Sequence, residues 1–167
     1  MVDRFDKPAF WSVFADDFEA WLKADAGVVA ILTKDVGSVS LVDVAQGVTP
    51  ALPAPCVRLC RGSEGKQPLT TYQWDALPAS FEFDIACCAR TTAPRDPQLS
   101  AKPSWDALGA MESAVLAAAR RYFDPSRDIA SILGAPFAAH VKGIEPTDGS
   151  YWPVVGSTIT IALNKQG

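Results

Sequence analysis

The stretch "SFEFDIACCAR", Ser80 to Arg90, decides the fold. Apolar Phe81, Phe83 and Ile85 alternate with Glu82 and Asp84, which is the period of a half-buried strand. One face of this strand belongs to a core, and the other meets solvent or a partner. Carried two residues further, the same alternation puts Cys87 on the buried face and Cys88 on the polar one. Two neighbouring sulfurs thus have different destinations, and a shared reactive role for them is disfavoured.

Upstream, prolines 50, 53 and 55 mark a linker before "CVRLCR", Cys56 to Arg61, a short strand. Residues 38–45, "SVSLVDVA", are rich in β-branched side chains and predict a strand or strand-like arm. The preceding "VVAILTKD" suits either a helical turn or a strand. Nearer the start, Asp6 followed by "KPAF" has the acceptor and first-turn proline of a helix start. Phe10, Phe14, Phe18, Trp21 and Leu22 then recur at helical spacing opposite Asp16, Asp17, Glu19 and Lys23, so an amphipathic helix ending near Gly27 is expected.

Downstream, residues 91–104 carry three prolines without periodicity and form a long loop. Residues 62–80 form another long connection, with one short strand around 71–74. Residues 105–123 predict a long alanine-rich helix with Leu108, Met111, Val115, Ala119 and Tyr122 on one face. Asp124-Pro125 ends it, and "SRDIASIL" makes a short helix stopped by Gly134. Strands are expected over 139–144 and 156–164, the latter alternating Ile159, Ile161 and Leu163 against Thr158, Thr160 and Ala162. Helix, strands, long helix, strands, without regular β-α-β alternation, predicts an α+β domain with a mostly antiparallel sheet. The 167 residues suit one domain (1–167), with long loops or arms at about 28–55, 62–80 and 91–104.

Composition narrows the function classes. The chain is 49% hydrophobic and 20% charged, as globular proteins are. Its formal charge is −4 and its cations, among them Arg58, Arg61, Lys66, Arg90, Arg95, Lys102, Arg120 and Arg121, are scattered, which argues against a dedicated nucleic-acid binder. No apolar run approaches the roughly 20 residues of a membrane helix. The start "MVDRFDKPAFW" lacks a signal-peptide h-region, so a cytosolic chain with free thiols is expected.

The chemical motifs are weak. On one strand Cys56 and Cys60 would stand about 13 Å apart at roughly 3.3 Å per residue, too far for thiolates that each sit about 2.3 Å from zinc. Cys87 and Cys88 point to opposite faces, and His140 is the sole histidine. The cysteines are therefore small apolar side chains, with one or two exposed thiols. His140 has Asp84 or Asp148 as conceivable partners but no nucleophile motif. "GSEGKQ", residues 62–67, lacks the spacing, the Ser/Thr and the following helix of a phosphate loop. Asp16, Asp17 and Glu19 lie on a solvated helix face, and Arg120 and Arg121 close a helix against its negative dipole end. No catalytic site, metal or cofactor is expected.

An amphipathic first helix, a proline-flanked "PAPCVRL", the strand "FEFDIACCAR", an alanine-rich helix, a short helix and a terminal "STITIAL" form an ordered set over nearly the whole chain. This set resembles the tail-terminator (tail-completion) proteins of long-tailed bacteriophages and related phage-tail-like particles. The resemblance implies an α+β sandwich that forms a homo-hexameric ring. Such a ring sits on the end of the tail tube, stops tube polymerisation and provides the docking surface for head-tail connector or neck proteins. DNA would pass through it without sequence-specific binding, and its location would be the virion after assembly in the bacterial cytoplasm. It also implies subunit or tube contacts, for which Arg61, Lys66, Arg90, Arg95, Asp96 and Lys102 in or beside the long loops are the candidates, with the arm 38–45 adding to a neighbour's sheet. Two alternatives stay open: a head-tail connector or neck adaptor ring, and a small enzyme or ligand-binding module with a pocket lined by Trp74, Trp105, Trp152 and the cysteines.

Overall fold

The computed structural model describes residues 10–47, 55–61, 80–90, 102–134, 136–146 and 154–166. At its centre lies β5 (Ser80–Arg90), flanked antiparallel by β4 (Cys56–Arg61) and by β7 (Val154–Lys165). Outside these, β6 (Phe137–Pro146) pairs antiparallel with β7, and β3 (Val44–Gln46) runs parallel to β4. The order is β3-β4-β5-β7-β6, so the α+β class and the mostly antiparallel sheet stand, with the β3–β4 pair as the parallel exception.

The alternation in β5 sorts its side chains as the sequence predicts. Phe81, Phe83, Ile85, Cys87 and Ala89 are buried, whereas Glu82, Asp84, Ala86 and Cys88 are half-buried on the opposite face. Register extends the apolar face sideways: Val57 and Leu59 of β4 oppose Cys87 and Ile85, and Ile159 and Ile161 of β7 oppose Ile85 and Phe83. Two helices cover this face. α1 (Phe10–Ala24) brings Phe14, Phe18 and Leu22, and α3 (Lys102–Tyr122) brings Met111, Val115, Ala118, Ala119 and Tyr122. The rings meet edge to face, with Phe14 4.8 Å from Phe83 and Phe18 4.9 Å from Tyr122. Burying each such ring stabilises the fold by on the order of 2 kcal/mol.

Two polar contacts fix the helices to one another. The Trp21 indole donates to the Ala118 carbonyl at 2.9 Å, and the Tyr122 hydroxyl donates to Asp17 at 2.8 Å. Arg127 stacks 4.0 Å over the Trp21 ring, holding the turn after α3 against α1. The short helix α4 (Ile129–Leu133) has Asp128 as its N-cap and ends at Gly134, whose φ of 82° is left-handed.

Several boundaries differ from the sequence reading. The first helix stops at Ala24, because Asp25 caps a second one, α2 (Ala26–Leu32), accepting the amides of Gly27 and Val28. A carboxylate satisfies the free N–H groups of a new helix better than it continues an old one. "VVAILTKD" is therefore both things: α2 to Leu32, then β1 (Thr33–Val36). β1 forms a two-stranded hairpin with β2 (Val39–Val42), turning through Gly37 at φ 65°. The arm expected over 38–45 is thus split into β2 and β3 around Asp43, and much of the supposed loop 28–55 is regular structure. α3 begins at Lys102, three residues early, since Pro103 falls in the first turn where its missing donor is harmless. The helix start at Asp6 and the short strand at 71–74 lie outside the described residues.

Candidate assembly surface

The two sides of the five-stranded sheet end differently. On one side lies β3, only three residues long, whose Gln46 amide donates to Asp16 at 2.7 Å and to Glu19 at 2.9 Å on α1. Asp16 is exposed and Asp17 and Glu19 are half-buried, so the face is solvated as expected; the three also tie α1 to β3 and to Tyr122 of α3. From this side the β1–β2 hairpin extends, with Val39 at its turn 59% exposed.

On the other side lies β6, ten residues long with one sheet neighbour among the described strands. Its Ala139, Val141 and Ile144 stand opposite Leu163, Ile161 and Ile159, so they continue the core face of the sheet. Among the described elements, α3 packs on β5 and β7, and α1 on β3 and β4, and neither covers the continuation on β6. Val141 is 48% exposed and Ile144 42% exposed, forming an apolar ledge beside a strand edge. Exposed apolar edge strands invite pairing with another chain. The ladder slips between Val141 and Gly143, and Lys142 at the slip pairs with Glu82 at 2.9 Å. A charge at a bulge restrains indiscriminate edge pairing.

The sheet face away from the helices carries the polar chemistry. Asp43, between β2 and β3, pairs with Lys34 and with buried Arg58, whose Nη1 lies 2.7 Å from Oδ1. Burial pulls the Asp43 carboxyl upward, but hydrogen bonds from Arg58 and Lys34 outweigh it and hold the group below its ordinary value. Cys56 and Cys60 share this face, as expected, and Cys88 joins them. Cys87 sits in the core, where burial pushes its thiol up to about 12. Among the described residues, no group of three or more His, Cys, Asp or Glu side chains is placed to hold a metal ion.

One pairing escapes sequence reasoning. Cys56 and Cys88 face each other directly across β4 and β5. The connection between these strands spans residues 62–79, too long to set their register, so no local signal announces the pair. Of the alternative pocket's described members, Trp105 stands 71% exposed on α3 and Cys87 is buried on that same helix side of the sheet, whereas Cys56, Cys60 and Cys88 lie on its other face. Trp74 and Trp152 lie outside the described residues. His140 is exposed on β6 opposite Ala162.

The contact candidates are dispersed. Arg61 ends β4 opposite Phe83, and Arg90 ends β5 seven residues further on, about 23 Å away at roughly 3.3 Å per residue. Lys102 is the first residue of α3, which runs back along β5, with Glu112 near Cys87 and Tyr122 near the rings of Phe14 and Phe18. Arg90 and Lys102 therefore lie toward one end of the sheet and Arg61 toward the other. Lys66, Arg95 and Asp96 lie outside the described residues, as do the side chains of Arg61 and Lys102. Among the described residues, an apolar ledge and a hairpin tip distinguish the two sheet edges, and sequence periodicity missed the ledge because it reports which face is apolar, not which part a helix leaves open. No described helix is long and apolar enough to cross a membrane. No protein-family model matches the chain, and no curated protein is similar to it in sequence.

Proposed function

We propose that the chain is an assembly subunit that closes into a ring on the end of a phage-type tail tube, ends tube growth and presents the docking surface for neck proteins. The observation that carries the reading is the asymmetry of the sheet: a hairpin on the β3 side and, on β6 at the other, an apolar ledge that no described helix covers. A ring needs a heterologous contact between two different surfaces of the same subunit, and these two lie on opposite sides. In this reading the hairpin of one subunit packs on the β6 ledge of the next, a contact read by strand pairing and apolar burial. The role is structural, with no substrate turned over.

Electron microscopy of the protein mixed with purified tail tubes tests the reading directly. Rings seated on tube ends, with tube growth arrested, are the expected result. Rings that ignore tube ends but bind the head-side neck would transfer the role to a connector or adaptor. A monomer by light scattering that leaves tube length unchanged would sink both.

A further inference from the structure

The core, the aromatic cluster and the ion pairs account for most polar and reactive groups of the described residues, but not for the two thiols that meet across β4 and β5. Cys56 is the ladder partner of Cys88. Opposed residues of an antiparallel pair stand roughly 4.5 to 5.5 Å apart at Cα, inside the roughly 4.4 to 6.8 Å that a disulfide spans. Their side chains leave the sheet on the same face, and the two thiols lie within hydrogen-bonding reach of one another. Both are free thiols, with Cys56 buried and Cys88 half-buried. On the other flank the ladder partner of Cys88 is Gly156, which has no side chain to shield the sulfur.

We propose that Cys56 and Cys88 are a peroxide-reactive pair, with Cys88 the attacking thiol and Cys56 the resolving one, that closes into a cross-strand disulfide. The inference stands apart from the ring reading and rests on the register of β4 and β5 and on the exposure of the two thiols.

The roles follow from the surroundings. A hydrogen bond with Cys56 lowers the Cys88 thiol below its ordinary value, against the opposing effect of burial, and the Arg58 charge adds to the lowering. The same hydrogen bond and burial raise Cys56, which keeps its proton. Cys60 is raised by burial and by Asp84, and has no thiol opposite it, since its ladder partner is Asp84 itself. Cys87 is closed in the core.

The chemistry balances with hydrogen peroxide as oxidant. The Cys88 thiolate attacks the peroxide; an S–O bond forms, the O–O bond breaks, and the departing hydroxide takes a proton to become water. Cys56 then attacks the sulfenic sulfur of Cys88; the S–S bond forms, the S–O bond breaks, and the hydroxyl leaves as water with the Cys56 proton. Two thiols lose two electrons, one peroxide is reduced, and two waters result.

Peptide mapping of the whole native protein after brief hydrogen peroxide treatment and alkylation tests this. The expected product is a linked peptide pair containing Cys56 and Cys88, lighter by two hydrogens and restored by reductant, with Cys87 still free once the chain is denatured. Before oxidation, native alkylation of Cys88 should run roughly tenfold or more faster than that of Cys60. In Cys56→Ser, Cys88 should stop at a sulfenic acid that dimedone captures; in Cys88→Ser, Cys56 should stay unmodified. Retention of both thiols in the wild-type protein at a peroxide dose that oxidises Cys60, or a bridge using Cys60 instead, would overturn the proposal.

Discussion

Asp43 is where the hairpin hands the chain over to the main sheet, and its carboxylate joins Lys34 of β1 to Arg58 of β4. Arg58 is 5% exposed, so Asp43→Asn leaves a buried cation without its counter-charge. The expected loss is about 3 kcal/mol, read as a lower urea midpoint at unchanged slope. The folded carboxyl lies below 3.8, so its stabilisation is complete above the unfolded value and lost as pH falls through the lower folded one. Wild type and Asp43→Asn should therefore differ fully near neutral pH and converge only as the pH falls through the lowered folded value of Asp43. Tyr122→Phe keeps the ring but removes the bond to Asp17, with an expected cost of about 1 kcal/mol by the same measurement. At this scale the sequence is legible where a period speaks: Cys87 inward and Cys88 outward follow from alternation. Asp17 with Tyr122, and Cys56 with Cys88, join residues that only the finished fold brings together.

Elements were legible in kind more than in extent. The strong periods of α1, α3, β5 and β7 announced themselves, whereas the segment 28–47 mixed short pieces whose ends depend on single side chains. Asp25 separates α1 from α2 because its carboxylate caps Gly27 and Val28 while pairing with Arg121, a partner that lies far along the chain. Asp43 separates β2 from β3 in the same way, through Arg58. Gly134 is the exception, a boundary that glycine alone declares. Its φ of 82° suits no Cβ, so Gly134→Ala should destabilise by about 1 kcal/mol and loosen α4, seen as faster amide exchange over Ile129–Leu133.

For the molecule as a whole, the fold class follows from element order, but strand order does not, and the candidate surface depends on strand order. Nothing in "AHVKGI" says that its apolar side chains fall beyond the reach of α1 and α3. The double variant Val141→Lys with Ile144→Lys should change stability by less than about 1 kcal/mol, since both side chains are already half open. It should nevertheless abolish ring formation and tube capping, as judged by light scattering and microscopy. The sheet order carries a further consequence, for the timing of synthesis. β5 makes its longest pairing with β7, where Phe83 meets Ile161, 78 positions further along. Among the described strands, β6 attaches to the sheet only through β7. During translation β4 and β5 emerge well before the strand that completes their core, and such long-range pairing is slow to form. The β6 edge thus comes into being only when the interior is complete, so a half-made chain has no finished edge to offer a neighbour.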